Sequence, residues 1–218
     1  MKKVLMIVGG GLAAVVLGFV AIVAMQPSDQ HIERSVVVAA SPADVFPFAN
    51  DFDKWLLWNP WQDLDPNQKV TFSENKVGAG AWYTWEGDDK VGKGKMAIRE
   101  SVEPTKIVED LMFIEPFAST ALITFTFVPE GDKTKVVWAM DSEQNFGAKA
   151  FGLFNDMDAM LGADFEKGLT KLKPLAEAEA TKRIEAERVA AEAAAAAAAV
   201  PGDGAVADAA AVPVEAPK

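Results

Sequence analysis

The chain has 218 residues, enough for one well-buried domain and further segments, and it carries a net charge of −11. Phosphate binding runs on Lys and Arg, so this balance argues against nucleic acid as a partner. With no Cys, disulfides, thiol catalysis, the usual zinc sites and lipoprotein attachment are excluded, and a single His and a single Tyr leave few groups to move protons near neutral pH.

In chain order, Met1-Lys2-Lys3 precedes an uncharged run from Val4 to Met25. About 20 apolar residues cross a bilayer as a helix, so residues 1–26 are predicted to be an N-terminal transmembrane anchor. A cleavable signal peptide is disfavoured, because its apolar region is shorter and Ile22-Val23-Ala24 is a weak cleavage pattern. Lys2 and Lys3 place the N-terminus in the cytoplasm by the positive-inside rule. The expected location is the cytoplasmic (inner) membrane, single-pass, with the rest of the chain on the extracytoplasmic side.

Residues 31–175 read as one α+β domain. Val36-Val37-Val38 predicts a strand. Ser41-Pro42-Ala43-Asp44 predicts a helix start, with Ser at the N-cap and Pro in the first turn. Two short helices follow, interrupted at Pro47 and at Asn59-Pro60. They carry three of the six tryptophans, Trp55, Trp58 and Trp61. Such a cluster either plugs a core or lines the mouth of an apolar pocket.

After Lys69 turn signals recur at Gly78–Gly80, Gly87-Asp88-Asp89, Glu103-Pro104, Glu115-Pro116 and Glu130-Gly131-Asp132. No helix-length segment interrupts them, which predicts antiparallel hairpins. Period-two alternation gives each strand an inner set: Tyr83 and Trp85, Met96 and Ile98, Leu111 and Phe113, Ile123 with Phe125 and Phe127, and Val136 with Trp138 and Met140. A stripe at spacings of three and four then runs through Phe154, Met157, Leu161, Phe165, Leu169 and Leu172. It predicts one amphipathic helix that starts near Gly147, covers the sheet, and kinks or restarts at Pro174. Residues 176–200, rich in Ala and Glu, predict a solvated helical extension, and 201–218 a disordered tail.

This order of elements resembles the START-like superfamily with its helix-grip fold (the SRPBCC group), and within it the polyketide cyclase/dehydrase branch. The resemblance rests on Asn50 to Trp61, on Gly78 to Gly87 running on to Gly92-Lys93-Gly94-Lys95-Met96, and on Phe151 to Phe154 through Asp164 to Leu169. It covers about Glu33 to Leu175. It implies a curved seven-stranded antiparallel sheet around the last helix, with an apolar cavity between them. Relatives bind lipids, sterols, polyketides or aromatic compounds there, and a minority act on them. The branch brings no shared catalytic motif, so no catalytic residue is carried over.

On this reading Trp55, Trp58 and Trp61 close one end of the cavity. The candidate ligand-binding set is Trp58, Trp61, Tyr83, Trp85, Met96 and Ile98, with Leu111, Phe113, Ile123, Phe125, Trp138 and Met140 from the later strands. The long helix adds Phe154, Met157, Asp158 and Leu161. Asp158 is the best candidate for a cavity-facing acid, against the plainer reading of a helix-edge carboxylate bonded near Asn50 or Trp61. His31 lies too close to the anchor to serve as a general base. Asp51, Asp53, Asp63 and Asp65 lack the glycine and terminal glutamate of a calcium loop and read as caps. Lys93, Lys95 and Arg99 read as a solvated outer face. No metal or cofactor is called for. The favoured function is a membrane-anchored domain holding a lipid or other apolar small molecule. The alternatives are an enzyme of cyclase or dehydratase type on an apolar substrate, and an envelope interaction scaffold.

Overall fold

A computed structural model describes residues 2–199, with side chains from Gly9 to Ala198. The disordered tail expected over 201–218 lies outside the described residues. Helix α1 (Lys2–Met25) forms where the anchor is expected. Among the described residues, however, no helix is long and apolar enough to cross a membrane. The side chains described in α1 begin only at Gly9, short of the roughly 20 apolar residues a crossing takes. The span over Val4–Met25 is thus a reading of the sequence alone.

After α1 come β1 (Asp29–Val38), three single-turn helices, α2 (Pro42–Val45), α3 (Pro47–Asn50) and α4 (Phe52–Trp55), and a 3-10 turn at Pro60–Asp63. Ser41 and Asp44 form the capping box that starts α2. Asp51 caps α4 by accepting from the Asp53 amide, and Asn59 caps the 3-10 turn by accepting from the Trp61 amide. Strands β2 (Lys69–Phe72), β3 (Trp82–Glu86), β4 (Lys93–Val102), β5 (Lys106–Glu115), β6 (Ser119–Glu130) and β7 (Lys133–Glu143) follow. All seven strands form one antiparallel sheet in the order β1-β7-β6-β5-β4-β3-β2, so β1 pairs across with β7 and the rest is a meander.

The last third departs from expectation at two points. The predicted single helix is two: α5 (Phe146–Gly152) and α6 (Met157–Ala199). Asn145 caps the first, and Asp156 starts the second by accepting from the Ala159 amide. Pro174 neither ends nor restarts α6, which is continuous through it.

Helix α6 lies on the inner face of the sheet, and its glycines set the spacing. At Gly168 a Cβ would sit 2.9 Å from the Trp138 ring. At Gly162 a Cβ would collide with the Arg34 guanidinium, which lies across that notch. Arg34 binds Asp158 and Glu166 on either side of it, at 2.9 and 3.0 Å. The chain divides after Ala180. Within the described residues, the second unit is solvated helix carrying ion pairs such as Arg183 with Glu187 and Arg188 with Glu185.

Candidate functional site

The strand register assembles the inner face in rows. Tyr83, Met96, Leu111 and Ala121 are successive cross-strand partners. The next row is Ile98, Glu109, Ile123, Met140 and Ile32. The third is Ile107, Phe125, Trp138 and Arg34. Thirteen of the expected lining residues therefore belong to one hydrophobic core: Trp58, Tyr83, Trp85, Met96, Ile98, Leu111, Ile123, Phe125, Trp138 and Met140 are buried in it, and Trp61, Phe113 and Leu161 pack against it.

The tryptophans fill one half of this face. Trp55, Trp58 and Trp138 meet edge to face, with Trp55 and Trp58 ring centroids 4.5 Å apart, and the Phe165 ring stacks on Trp138 at 4.1 Å. Such pairs add about 0.5–1.5 kcal/mol each beyond burial. The Trp55 indole donates to the Tyr83 hydroxyl and the Trp58 indole to the Phe48 carbonyl. Trp58 is 0 % exposed, so it is core. Phe46 of the α2–α3 junction meets Phe127 at this closed end.

Burial fades toward the other end. Along β5 it declines from Ile107, Glu109 and Leu111 to the half-buried Phe113, along β6 from Phe125 and Ile123 to Ala121, and along β7 from Trp138 and Met140 to Ser142. On α6 it declines from Leu169 and Phe165 to Leu161 and Met157. Beside this open end lies a cleft of about 660 Å³ whose lining includes Gln30, His31, Lys149, Met157 and Asp158.

One functional candidate went unread in the sequence. Glu109 is 2 % exposed, on the inner face, among Ile98, Ile123 and their neighbours. Its Oε2 has no hydrogen-bond partner, and neither has the Trp138 Nε1. Burial pushes the Glu109 carboxyl up to about 8, so it is neutral at pH 7 and can donate as well as accept. Tyr83 is also raised, first by burial and further by the charge of Glu109, while the bond from Trp55 opposes the shift. The signal was the alternation itself: counting back from Phe113 and Leu111 puts Glu109 on the inward phase.

Other expected residues fall elsewhere. Phe154 is 78 % exposed between α5 and α6, off the long helix. Asp158 is exposed, turned to Arg34 rather than inward or toward Asn50 or Trp61, and that bond lowers its pKa. His31 bonds Asp141 at 2.7 Å, which raises its pKa. Asp53 pairs with Lys76, Asp63 with Lys171 and Lys167, and Asp65 accepts from the Asn67 and Asp88 amides. Among the described residues no cluster of three or more metal-ligating side chains occurs. On the outer face, Lys93 meets Glu86, Lys95 lies over Trp82 and Arg99 pairs with Asp110.

A seven-stranded antiparallel sheet closed by small helices and gripping one long C-terminal helix defines the START-like, helix-grip class. Residues 29–177 match the family described as polyketide cyclase / dehydrase and lipid transport, and the chain belongs to that family. No curated protein matches it. Among solved structures it is similar to protein CV1439 from Chromobacterium violaceum, at 15% identity and TM-score 0.50, over 70% of this chain and 99% of that one. It is likewise similar to the KanY protein (ms6282), at 18% identity and TM-score 0.50, over 69% and 99%. At these identities the likeness is one of fold.

Proposed function

We propose that the domain holds a lipid or other apolar small molecule between the inner face of the sheet and α6. The uncharged run of α1 keeps it at the cytoplasmic membrane, with the domain on the extracytoplasmic side. One observation carries the reading: two polar atoms, Glu109 Oε2 and Trp138 Nε1, are buried on an apolar inner face with no protein partner. Leaving such atoms unpaired costs roughly 1–3 kcal/mol each. A ligand with an apolar body and one hydroxyl or carbonyl removes that cost, and the flexible Met96 and Met140 beside them repack around it.

Native mass spectrometry of the full chain, extracted mildly from membranes, is the direct test. A co-purifying lipid or apolar metabolite is expected, with its occupancy reduced at least several-fold in Glu109→Gln or Trp138→Phe. A chain that carries no small molecule under these conditions removes the proposal. Sedimentation with the membrane fraction after carbonate washing tests the attachment separately.

An enzyme is the second reading, and Glu109 rather than Asp158 favours it. A carboxyl held neutral in an apolar site is the type of group that donates a proton to a carbonyl oxygen. Loss of turnover of an apolar substrate in Glu109→Gln, with its binding retained, would separate catalysis from holding.

A further inference from the structure

The open end of the inner face and the end of α1 are the same end of the domain. Asp29 at the start of β1 pairs with Glu143 at the end of β7, Ser142 with Ala121, and Phe113 with Ser119. Only residues 26–28 separate α1 from β1, and the last of them is pinned to the domain: the Gln144 amide donates to the Ser28 carbonyl at 2.7 Å, and Lys149 Nζ to the Ser28 hydroxyl at 2.9 Å. Helix α5 packs along α1, Val23 is fully buried, and Phe154 stacks on Phe19 with ring centroids 6.5 Å apart. Phe19 lies six residues before Met25, so at 1.5 Å per residue the Phe154 ring reaches about 9 Å back along α1.

That depth is decisive for any membrane-inserted α1. If the helix enters a bilayer near Met25, the segment holding Phe154 enters with it, because the two are in ring contact. Phe146 and Phe151 of α5 are exposed beside it, and Phe117 on the β5–β6 turn, at the same end, is 81 % exposed. Exposed phenylalanine rings clustered on one end form the apolar face of an interfacial segment, which sinks to the boundary between headgroups and acyl chains. The opposite end differs in kind: its β6–β7 turn is Glu130-Gly131-Asp132, exposed and acidic.

We infer that the open end of the domain rests in the membrane interface, with the α5–α6 junction and the Phe117 turn immersed at headgroup depth. A lipid then passes between the bilayer and the inner face without crossing water. This rests on the membrane attachment proposed above. A protein partner or a second copy on the same patch are the competing occupants.

The chain lacks cysteine, so single labels report cleanly. Ala118→Cys and Gly152→Cys sit beside the aromatic rims without removing a ring, and a Cβ at Gly152 meets nothing within 4 Å. Asp132→Cys marks the far turn. Each full-length variant is labelled with an environment-sensitive fluorophore and reconstituted in phosphatidylcholine/phosphatidylglycerol vesicles. Flotation is measured first, then quenching by doxyl-labelled lipid. Labels at 118 and 152 are expected to shift to the blue and to be quenched at least threefold more strongly than the label at 132. Equal quenching at all three positions in floated vesicles overturns the inference and leaves attachment standing. Failure to float overturns attachment and the inference together. Self-quenching between copies without lipid quenching assigns the patch to a second copy and overturns the inference as well.

Discussion

The two halves of the inner face use the same side-chain chemistry to different ends. At the closed half, Trp55, Trp58, Trp138, Phe125 and Phe165 meet at centroid distances of 4.1 to 6.2 Å. At the open half, Phe113, Ala121, Met157 and Leu161 are only half-buried. A ring close-packed on its faces is scaffold, since dense interiors do not yield to a ligand without loss of contacts, and the exception in this half is the unpaired Nε1 edge of Trp138. A residue touched on one side only is free to touch something else. The tryptophan run is therefore mostly plug, with Trp61 alone among the three left half-buried. Glu109 lies between the halves, inside the packed rows yet one inward step from Leu111 and two from Phe113.

The largest effect expected of this contrast is on stability. Trp138→Ala removes a ring that stacks on Phe165 and meets Trp55, Trp58, Trp61 and Phe125. It is expected to cost about 3–5 kcal/mol in denaturant unfolding. Phe113→Ala, half-buried at the open end, is expected to cost less than half of that and to weaken ligand retention more. Equal losses from the two would dissolve the distinction between plug and mouth.

Next in size is the pH dependence set by Glu109. Its folded pKa, about 8, lies above the ordinary 4.5, so the folded state keeps a proton that the unfolded state releases. That contribution is fully present below pH 4.5 and is lost progressively as pH rises through 8. The slope is up to about 1.4 kcal/mol per pH unit between those limits. Urea unfolding from pH 5 to 9 measures it. Glu109→Gln is expected to abolish this component, and a bound ligand that accepts a hydrogen bond from the neutral carboxyl to extend it to higher pH. An unchanged pH profile in Glu109→Gln would mean that the carboxyl is solvated, placing it with the open half.

Much of this was legible because it is written locally. Alternation phased β4, β6 and β7 correctly: Met96 and Ile98 face inward, and Lys95 and Arg99 outward. Ser41-Pro42 marked the first small helix, and Asp51 and Asn59 act as caps. The break before α6 was hidden because Phe154 continues the three-four spacing of Met157 and Leu161, while Asp156, the residue that starts the helix, was not read as a cap. Glu109 was passed over because Val108 and Asp110 blur the alternation around it. Arg34 gave no local signal at all. Its carboxylate partners lie more than 120 residues away, and the notch that admits it exists only because residue 162 is glycine.

Asp158 is the counterpart of Glu109, and the two carboxyls respond to pH with opposite signs. The Arg34 hydrogen bond holds Asp158 below its ordinary value, so its contribution is present above pH 3.8 and is lost as pH falls through the lowered folded pKa. The pair is partly solvated, with Asp158 itself exposed, and water screens it. Asp158→Asn is therefore expected to leave stability near neutral pH almost unchanged, to remove a small acid-side loss, and to leave ligand occupancy intact. Loss of occupancy in Asp158→Asn would move the site from the inner face to the cleft beside His31, and would make the open end itself the place where ligand is held.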